Sequence, residues 1–270
     1  MIITRRMTLK EIQNREVALL DYVDKFCSEN GLVYYLCGGT LLGAIRHKGF
    51  IPWDDDIDVC MPRNDYEKFC KMFNCMDENI VVKSNVTGDF SRPMGKLFDL
   101  KTKGVNKYST GEACNHLWID ILPVDGLPEN DRELKTLYQK AAFYRWIEIH
   151  CYMVLGEGKS FLRKIGKLFI YPLAKMYGAR RAMKKLHELT KQNSYNKSKY
   201  VGILTWGLYG INERMEKKAF EKSVMVEFEG KKYPTFSCWD SYLNNLYGDY
   251  MKIPPIGKRK IHDAEIYIDD

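Results

Sequence analysis

No run of apolar residues in this 270-residue chain comes near the roughly 20 that a bilayer-spanning helix requires. The longest runs, such as 32–37 and 168–171, fall far short, so no transmembrane segment is expected. The N-terminus also lacks the basic stretch, apolar stretch and small-residue cleavage site of a signal peptide. Met1-Ile2-Ile3-Thr4-Arg5-Arg6-Met7 leads straight into an amphipathic pattern, and the expectation is a cytoplasmic protein. The eight cysteines include no C-x-x-C pair and mostly have apolar neighbours, which argues for reduced core thiols rather than a disulfide frame or a zinc site. Cys37 and Cys60 are nucleophile candidates only by position, because a small buried hydrophobe is the commoner use of such a residue. There is no internal repeat, no low-complexity tract and no nucleic-acid-binding motif, so no nucleic-acid partner is expected.

What the chain does have is 45% apolar composition, enough to bury a sizeable core, and an uneven charge. Residues 159–199 carry twelve Lys or Arg against Glu188 alone, a surplus of +11 in a chain of net +7, which leaves −4 for the remainder. We divide the chain into a core at 1–130, a helical, basic region at 131–200 and a C-terminal segment at 201–270 that is expected to pack back on the core.

Thr8-Leu9-Lys10-Glu11 has the form of a capping box, and Leu9, Ile12, Leu19, Leu20, Val23 and Phe26 follow at helical spacing until Gly31, which predicts a helix over 8–29. Residues 32–37 read as a strand ending at Gly38-Gly39, followed by a short helix capped by Thr40. Asp56-Ile57-Asp58-Val59-Cys60-Met61 alternates charged and apolar residues with the period of a strand. A helix capped by Asn64 or Asp65 should reach about residue 76, with strands near 80–85, 94–100 and 117–122. Residues 131–155 and 160–192 are mostly helical by period, interrupted at Pro172 and Gly178, and a hairpin turns around 229–232.

Three features then fall in order: Gly38-Gly39 before a helix, Asp56-Ile57-Asp58 on a strand, and Ile119-Asp120-Ile121 on a later strand. Side chains two apart on a strand point the same way, so Asp56 and Asp58 would project into one cavity. Paired carboxylates favour a hard divalent cation, Mg2+ with Mn2+ as the alternative, which typically joins one or two carboxylates to substrate phosphates. Glycine backbone at a helix N-terminus can approach phosphate closely. Asp120, on an apolar strand, could complete the metal site or take a proton from an incoming hydroxyl.

These residues carry a family resemblance. Leu36-Cys37-Gly38-Gly39-Thr40-Leu41-Leu42-Gly43-Ala44-Ile45-Arg46, with Gly49-Phe50-Ile51-Pro52-Trp53-Asp54-Asp55-Asp56-Ile57-Asp58, closely resembles the signature of the LicD family of phosphocholine transferases, related to the fukutin-type enzymes. Trp118-Ile119-Asp120-Ile121-Leu122-Pro123-Val124-Asp125-Gly126 and the tail through Tyr247-Gly248-Asp249-Tyr250-Met251 to Pro254-Pro255 look like further family segments, whereas 135–200 adds little. The resemblance implies an α+β, nucleotidyltransferase-like mixed sheet with flanking helices and a helical basic appendage. It implies transfer of a phosphorylated group from a CDP-linked donor, typically CDP-choline, to a sugar hydroxyl of a cell-surface glycan or glycolipid precursor, with release of CMP. A different CDP-activated group (ribitol or glycerol phosphate), nucleotidyl transfer to a small molecule, and an inactive membrane-recruitment module are the alternatives.

Carried over position by position, Asp56 and Asp58 hold the metal, Asp120 is the third acidic residue, and Gly38, Gly39 and Thr40 lie against the donor. Arg46, Asp54 and Asp55 fall inside the matched block as donor contacts or supports. Lys96 matches a family lysine suited to neutralising the leaving phosphate. Asp125 reads as bracing an Asp125-Gly126 turn, Arg259 and His262 as basic residues of the tail, and His47 as a surface residue. A choline headgroup calls for aromatic faces, with Trp118, Trp146 and Trp206 as candidates. Finally, Phe161, Ile165, Leu168, Phe169 and Met176 share one face of a helix whose flanks and opposite side carry Arg163, Lys164, Lys167 and Lys175. Such a helix suits either core packing or an anionic membrane surface, at roughly 1 kcal/mol per basic residue.

Overall fold

A computed structural model of the chain describes residues 4–73, 78–88, 90–157, 161–259 and 264–269, with the backbone alone at 161–164 and 258. The chain begins with β1 (Thr4–Arg6) and α1 (Leu9–Asn30). The capping box forms as the sequence predicts: the Glu11 carboxylate accepts the Thr8 N–H at 2.8 Å, the Thr8 hydroxyl accepts the Glu11 N–H at 3.4 Å, and Gly31 ends the helix at φ 63°. Next come β2 (Tyr35–Leu36), α2 (Gly38–His47), β3 (Asp58–Pro62) and α3 (Arg63–Met72). They are followed by β4 (Ile80–Lys83), β5 (Gly95–Asp99), β6 (Thr102–Asn106) and β7 (Leu117–Leu127).

The strands differ from the sequence expectation in ways that matter for the site. The strand expected over 32–37 pairs only at Tyr35 and Leu36. Helix α2 starts at Gly38, which takes φ 54°, so Thr40 is not its cap. β3 starts at Asp58, leaving Asp56 in the preceding loop, where the Asp54 N–H closes a turn onto the Ile51 carbonyl at 2.9 Å. Pro62 precedes α3 without a side-chain cap, and Asp65 accepts the Val33 N–H at 3.3 Å instead; the end expected near residue 76 lies outside the described residues. β7 does not turn at Asp125-Gly126 but runs eleven residues, every one buried. Asp125 is held there by a two-pronged bond from Arg63 at 2.7 and 2.8 Å, the arrangement that makes a buried carboxylate tolerable.

The central sheet runs β2-β3-β7-β5-β4, with β3 and β7 parallel and the other neighbours antiparallel. The far end of β7 carries β8 (Tyr200–Gly202), which pairs in turn with β9 (Met215–Glu216). The result is the mixed α+β architecture expected of a nucleotidyltransferase-like core. A separate sheet, β1 against β12 (Ala264–Asp269) against β6, brings the chain's two ends together.

Between β7 and β8 lie α4 (Asp131–Cys151), α5 (Phe161–Tyr177) and α6 (Ala179–Thr190). They pack through Leu134, Leu137, Ala141, Met183 and Leu186 on Leu127, and through Ile147, Cys151, Ala174 and Ala182 on one another. Further on, α7 (Lys217–Phe220), the hairpin β10 (Ser223–Phe228) and β11 (Lys231–Phe236), and α8 (Trp239–Tyr247) bury Phe220, Phe228, Phe236 and Tyr242 in the same core as Leu36 and Val59. The hairpin's two-residue turn has Glu229 at φ 48° and Gly230 at φ 76°, the geometry that matches strand twist, and Lys231 and Lys232 already belong to β11. Glu229 reaches back to accept the Phe50 N–H at 3.2 Å, fastening the hairpin to the loop that leads to the aspartates.

Candidate active site

Sheet register assembles the centre of the site. On the parallel pair Asp58 stands opposite Asp120, and on the antiparallel pair Lys96 stands opposite Asp120, so three adjacent strands carry Asp58, Asp120 and Lys96 in one row. Register partners share a face, and neighbouring strands lie only about 4.8 Å apart. Lys96 Nζ meets Asp120 Oδ1 at 2.8 Å, an ion pair whose angles fall outside those of a hydrogen bond, and it also sits 4.0 Å above the Trp118 ring. Both partners are buried, where such a pairing is strong and the loss of either member is costly.

The predicted residues largely converge on one cleft of about 620 Å³. Gly38, Gly39, Arg46, Asp54, Asp56, Asp58, Lys96 and Asp120 all line it. A Cβ on Gly38 would lie 2.9 Å from Asp58 Oδ2, and one on Gly39 would lie 3.1 Å from Asp54 Oδ2, so backbone and carboxylates meet closely only because both residues are glycine. The Gly38 N–H is directed to the Tyr242 hydroxyl at 3.3 Å. Thr40 lies behind the wall, where its hydroxyl accepts the Asp58 N–H at 2.7 Å and sets the start of β3. Arg46 donates to the Tyr250 carbonyl at 2.8 Å and to His47 Nε2 at 2.9 Å.

Other residues lie elsewhere. Asp55 is outside the cleft lining, and its charge acts on Glu16 of α1. Trp118 and Trp206 line the cleft; Trp146 does not, being 42% exposed and stacked on His150. Arg259 lines the cleft and covers the Trp53 ring at 4.1 Å, while His262 lies outside the described residues. Cys37 and Cys60 are fully buried away from the cleft, and burial pushes the Cys37 thiol well up, against a nucleophilic role.

Sequence reasoning missed several participants. Glu16 sits on the apolar face of α1 beside Ile12, Leu19 and Leu20, and that misplaced acid was its signal. Burial, then the carboxylates of Asp56, Asp55, Asp54 and Asp120, raise its carboxyl well above the ordinary range, and its Oε2 has no hydrogen-bond partner. One turn earlier, Gln13 holds the Asp54 carbonyl at 2.9 Å. Trp206, Tyr209 and Tyr247 line the same cleft with Glu213, which is buried with one oxygen, Oε2, unpartnered. Burial brings the Glu213 carboxyl up to about 7, with Asp58 adding to the rise. Arg92, bonded to buried Glu148 of α4 at 3.1 Å, and Lys252 add positive charge to the lining.

This donor set fits a hard divalent cation. Asp54, Asp56 and Asp58 line one cleft, and the carboxylates of Asp54 and Asp58 lie close against glycine backbone. Among the described residues no three His, Cys, Asp or Glu side chains form a ready-made metal cage, and one oxygen of Asp120 faces Lys96. Two carboxylates that leave the rest of the shell to water and phosphate oxygens are the usual magnesium arrangement.

Residues 31–150 match the family model described as LicD/FKTN/FKRP, nucleotidyltransferase domain. The chain is 31% identical over 275 residues to the lipopolysaccharide cholinephosphotransferase LicD of Haemophilus influenzae, an alignment that covers 98% of this chain and 99% of that protein. It is also 32% identical over 109 residues to the human ribitol 5-phosphate transferase FKRP, covering 38% of this chain and 19% of that protein. With a mixed sheet that lines up Asp58, Asp120 and Lys96 at its centre and a likeness that runs the length of the chain, this protein belongs to the LicD family.

Proposed function

We propose that the chain transfers phosphocholine from CDP-choline to a sugar hydroxyl of a cell-surface glycan or its lipid-linked precursor, releasing CMP, in a magnesium-dependent reaction at the cytoplasmic side of a membrane. The observation that carries this reading is the row of Asp58, Asp120 and Lys96 on one cleft wall, in a chain alignable end to end with a cholinephosphotransferase.

In the proposed reaction the acceptor oxygen bonds to the phosphorus that bears choline, the P–O bond to CMP breaks, and the hydroxyl proton passes to a carboxylate oxygen. Asp120 is the carboxylate we assign to take it, with Lys96 holding one of its oxygens. Gly38 and Gly39 let the donor diphosphate approach the wall, and the positive charge of Lys96, Arg46 and Arg92 offsets the charge that develops on CMP. A magnesium ion held by Asp56 and Asp58, or manganese in its place, would neutralise and orient the diphosphate. Thr40 acts indirectly, by fixing the Asp58 backbone.

Four residues of the cleft lining support choline over a polyol in this reading. Ring faces of Trp206, Tyr209 and Tyr247 beside the Glu213 carboxyl suit a quaternary ammonium, whereas ribitol or glycerol carries no positive charge for them to recognise. The likeness to a ribitol 5-phosphate transferase nevertheless makes CDP-ribitol the donor to compete against.

The test is CMP release from CDP-choline, CDP-ribitol and CDP-glycerol with magnesium and a bacterial glycolipid extract. CMP from CDP-choline alone, reduced at least about 10²-fold in Asp58→Ala, is the expected result. Turnover of CDP-ribitol or CDP-glycerol instead would move the assignment to that donor. A product carrying the nucleotide would make the chain a nucleotidyltransferase, and no turnover of any donor would leave a binding module.

A further inference from the structure

Helix α5 is amphipathic the wrong way round for a packed helix. Ile165, Leu168, Phe169, Pro172, Leu173 and Met176 recur at three- and four-residue spacing and so form a single stripe, and every one of them is exposed. Leu168 is 58% exposed, Leu173 61%, Phe169 70% and Met176 78%. The opposite side does the packing: Ala174 is buried against Ile147, Cys151 and Ala182. Lys167 also turns inward, donating to the Val154 carbonyl at 3.1 Å and the Glu157 carbonyl at 2.7 Å. Apolar side chains therefore face solvent while a lysine helps to anchor the helix.

The neighbouring surface carries the complementary half of the signal. α6 buries Ala182, Met183, Leu186 and Leu189 and exposes Arg180, Arg181, Lys184 and Lys185. Lys175, on the flank of the α5 stripe, is exposed as well and lies over the Tyr171 ring at 5.4 Å. No helix among the described residues is long and apolar enough to cross a membrane, and α5, at about 25 Å, is a surface-lying length.

We infer that the exposed stripe of α5, bordered by the basic face of α6, docks the protein on an anionic phospholipid bilayer, with Leu168, Phe169, Leu173 and Met176 entering the headgroup and upper acyl layer. Charge decides the occupant. A groove-binding peptide or a second copy would need only the apolar stripe, whereas a basic border beside it matches a surface of phosphate headgroups. This docking is independent of which donor the cleft uses. It would bring the cleft to acceptors held in the same membrane.

The test is flotation of the full chain with vesicles of phosphatidylcholine alone and of phosphatidylcholine mixed with phosphatidylglycerol. Binding to the mixed vesicles only, weakened by salt, is expected. Phe169→Ser/Met176→Ser should lower partition at least about tenfold. Arg180→Glu/Lys184→Glu should do the same through charge alone. All these positions are exposed, so melting temperatures should be unchanged, which separates lost docking from lost folding. Equal flotation of wild type and variants would overturn the inference. So would a chain that ignores both vesicle types, whether monomeric or present as a dimer that Phe169→Ser/Met176→Ser dissociates; in the dimer case the stripe belongs to a second copy.

Discussion

The cleft wall and the α4–α6 layer handle charge and apolar surface in opposite ways. On the wall, sheet register sets half-buried Asp58 beside buried Asp120 and Lys96, and the buried pair is tolerated only because each member has the other. In the helical layer α6 sends its basic residues outward, as a surface helix should, but α5 sends out its apolar ones. A buried charge is maintained by partners that must all be present, and an exposed apolar stripe is maintained only because something other than the core selects it. Substitutions in the two regions should accordingly fail differently: on the wall they should cost stability and activity together, and on the α5 stripe neither.

The sharpest form of that contrast is Lys96→Met. It leaves the Asp120 carboxylate buried without its cation and should destabilise the fold by about 3–5 kcal/mol, read from urea unfolding. Adding Asp120→Leu removes the stranded charge and should recover much of that loss, though not activity. If Lys96→Met unfolds at the wild-type urea concentration, the wall does not depend on the pair and the contrast breaks.

Next in size is a comparison within α5 itself. Ala174→Leu forces bulk against Ile147, Cys151 and Ala182 and should cost about 1–3 kcal/mol. Met176→Ser, two residues on, should change stability by less than about 0.5 kcal/mol despite replacing a larger apolar side chain. Matching losses at both positions would mean that the stripe is packed after all.

What the sequence made legible follows the range of the interactions. The capping box of α1, the Glu229-Gly230 hairpin and the helices α4, α5 and α6 were readable because their determinants lie within a few residues of one another, although α5 runs through Pro172 without the expected interruption. Asp56, Asp58, Asp120 and Lys96 could be picked out by residue type and family pattern. The row of Asp58, Asp120 and Lys96 could not, because the register that sets Lys96 opposite Asp120 is a pairing between distant segments. The same limit hid β6 and β12, whose burial is broken by exposed and half-exposed positions and whose pairing joins segments some 160 residues apart. Thr40 misled because a threonine after two glycines looks like a cap until Asp58 is found across from it. Glu213 had no local signal at all: it ends a short 3-10 turn, and only the fold brings it to the cleft.

Glu148 joins the two regions, since it stands on α4 and holds Arg92 at the cleft. It gives the smallest of these effects. Burial raises its carboxyl from 4.5 to about 7, against the lowering pull of Arg92. The folded protein therefore keeps a proton that the unfolded chain releases, so Glu148 contributes stability that is fully present below about pH 4.5 and is lost as pH rises through about 7. The slope cannot exceed about 1.4 kcal/mol per pH unit for one proton. Glu148→Gln retains an acceptor for Arg92 without a titrating proton. The wild-type melting temperature should thus fall relative to that of Glu148→Gln between about pH 5 and 7. Other titrating groups are common to both proteins and cancel in the difference. Parallel melting curves would show that Glu148 is already ionised in the fold, as a paired surface carboxylate would be, and that the joint between cleft and helical layer is an ordinary salt bridge.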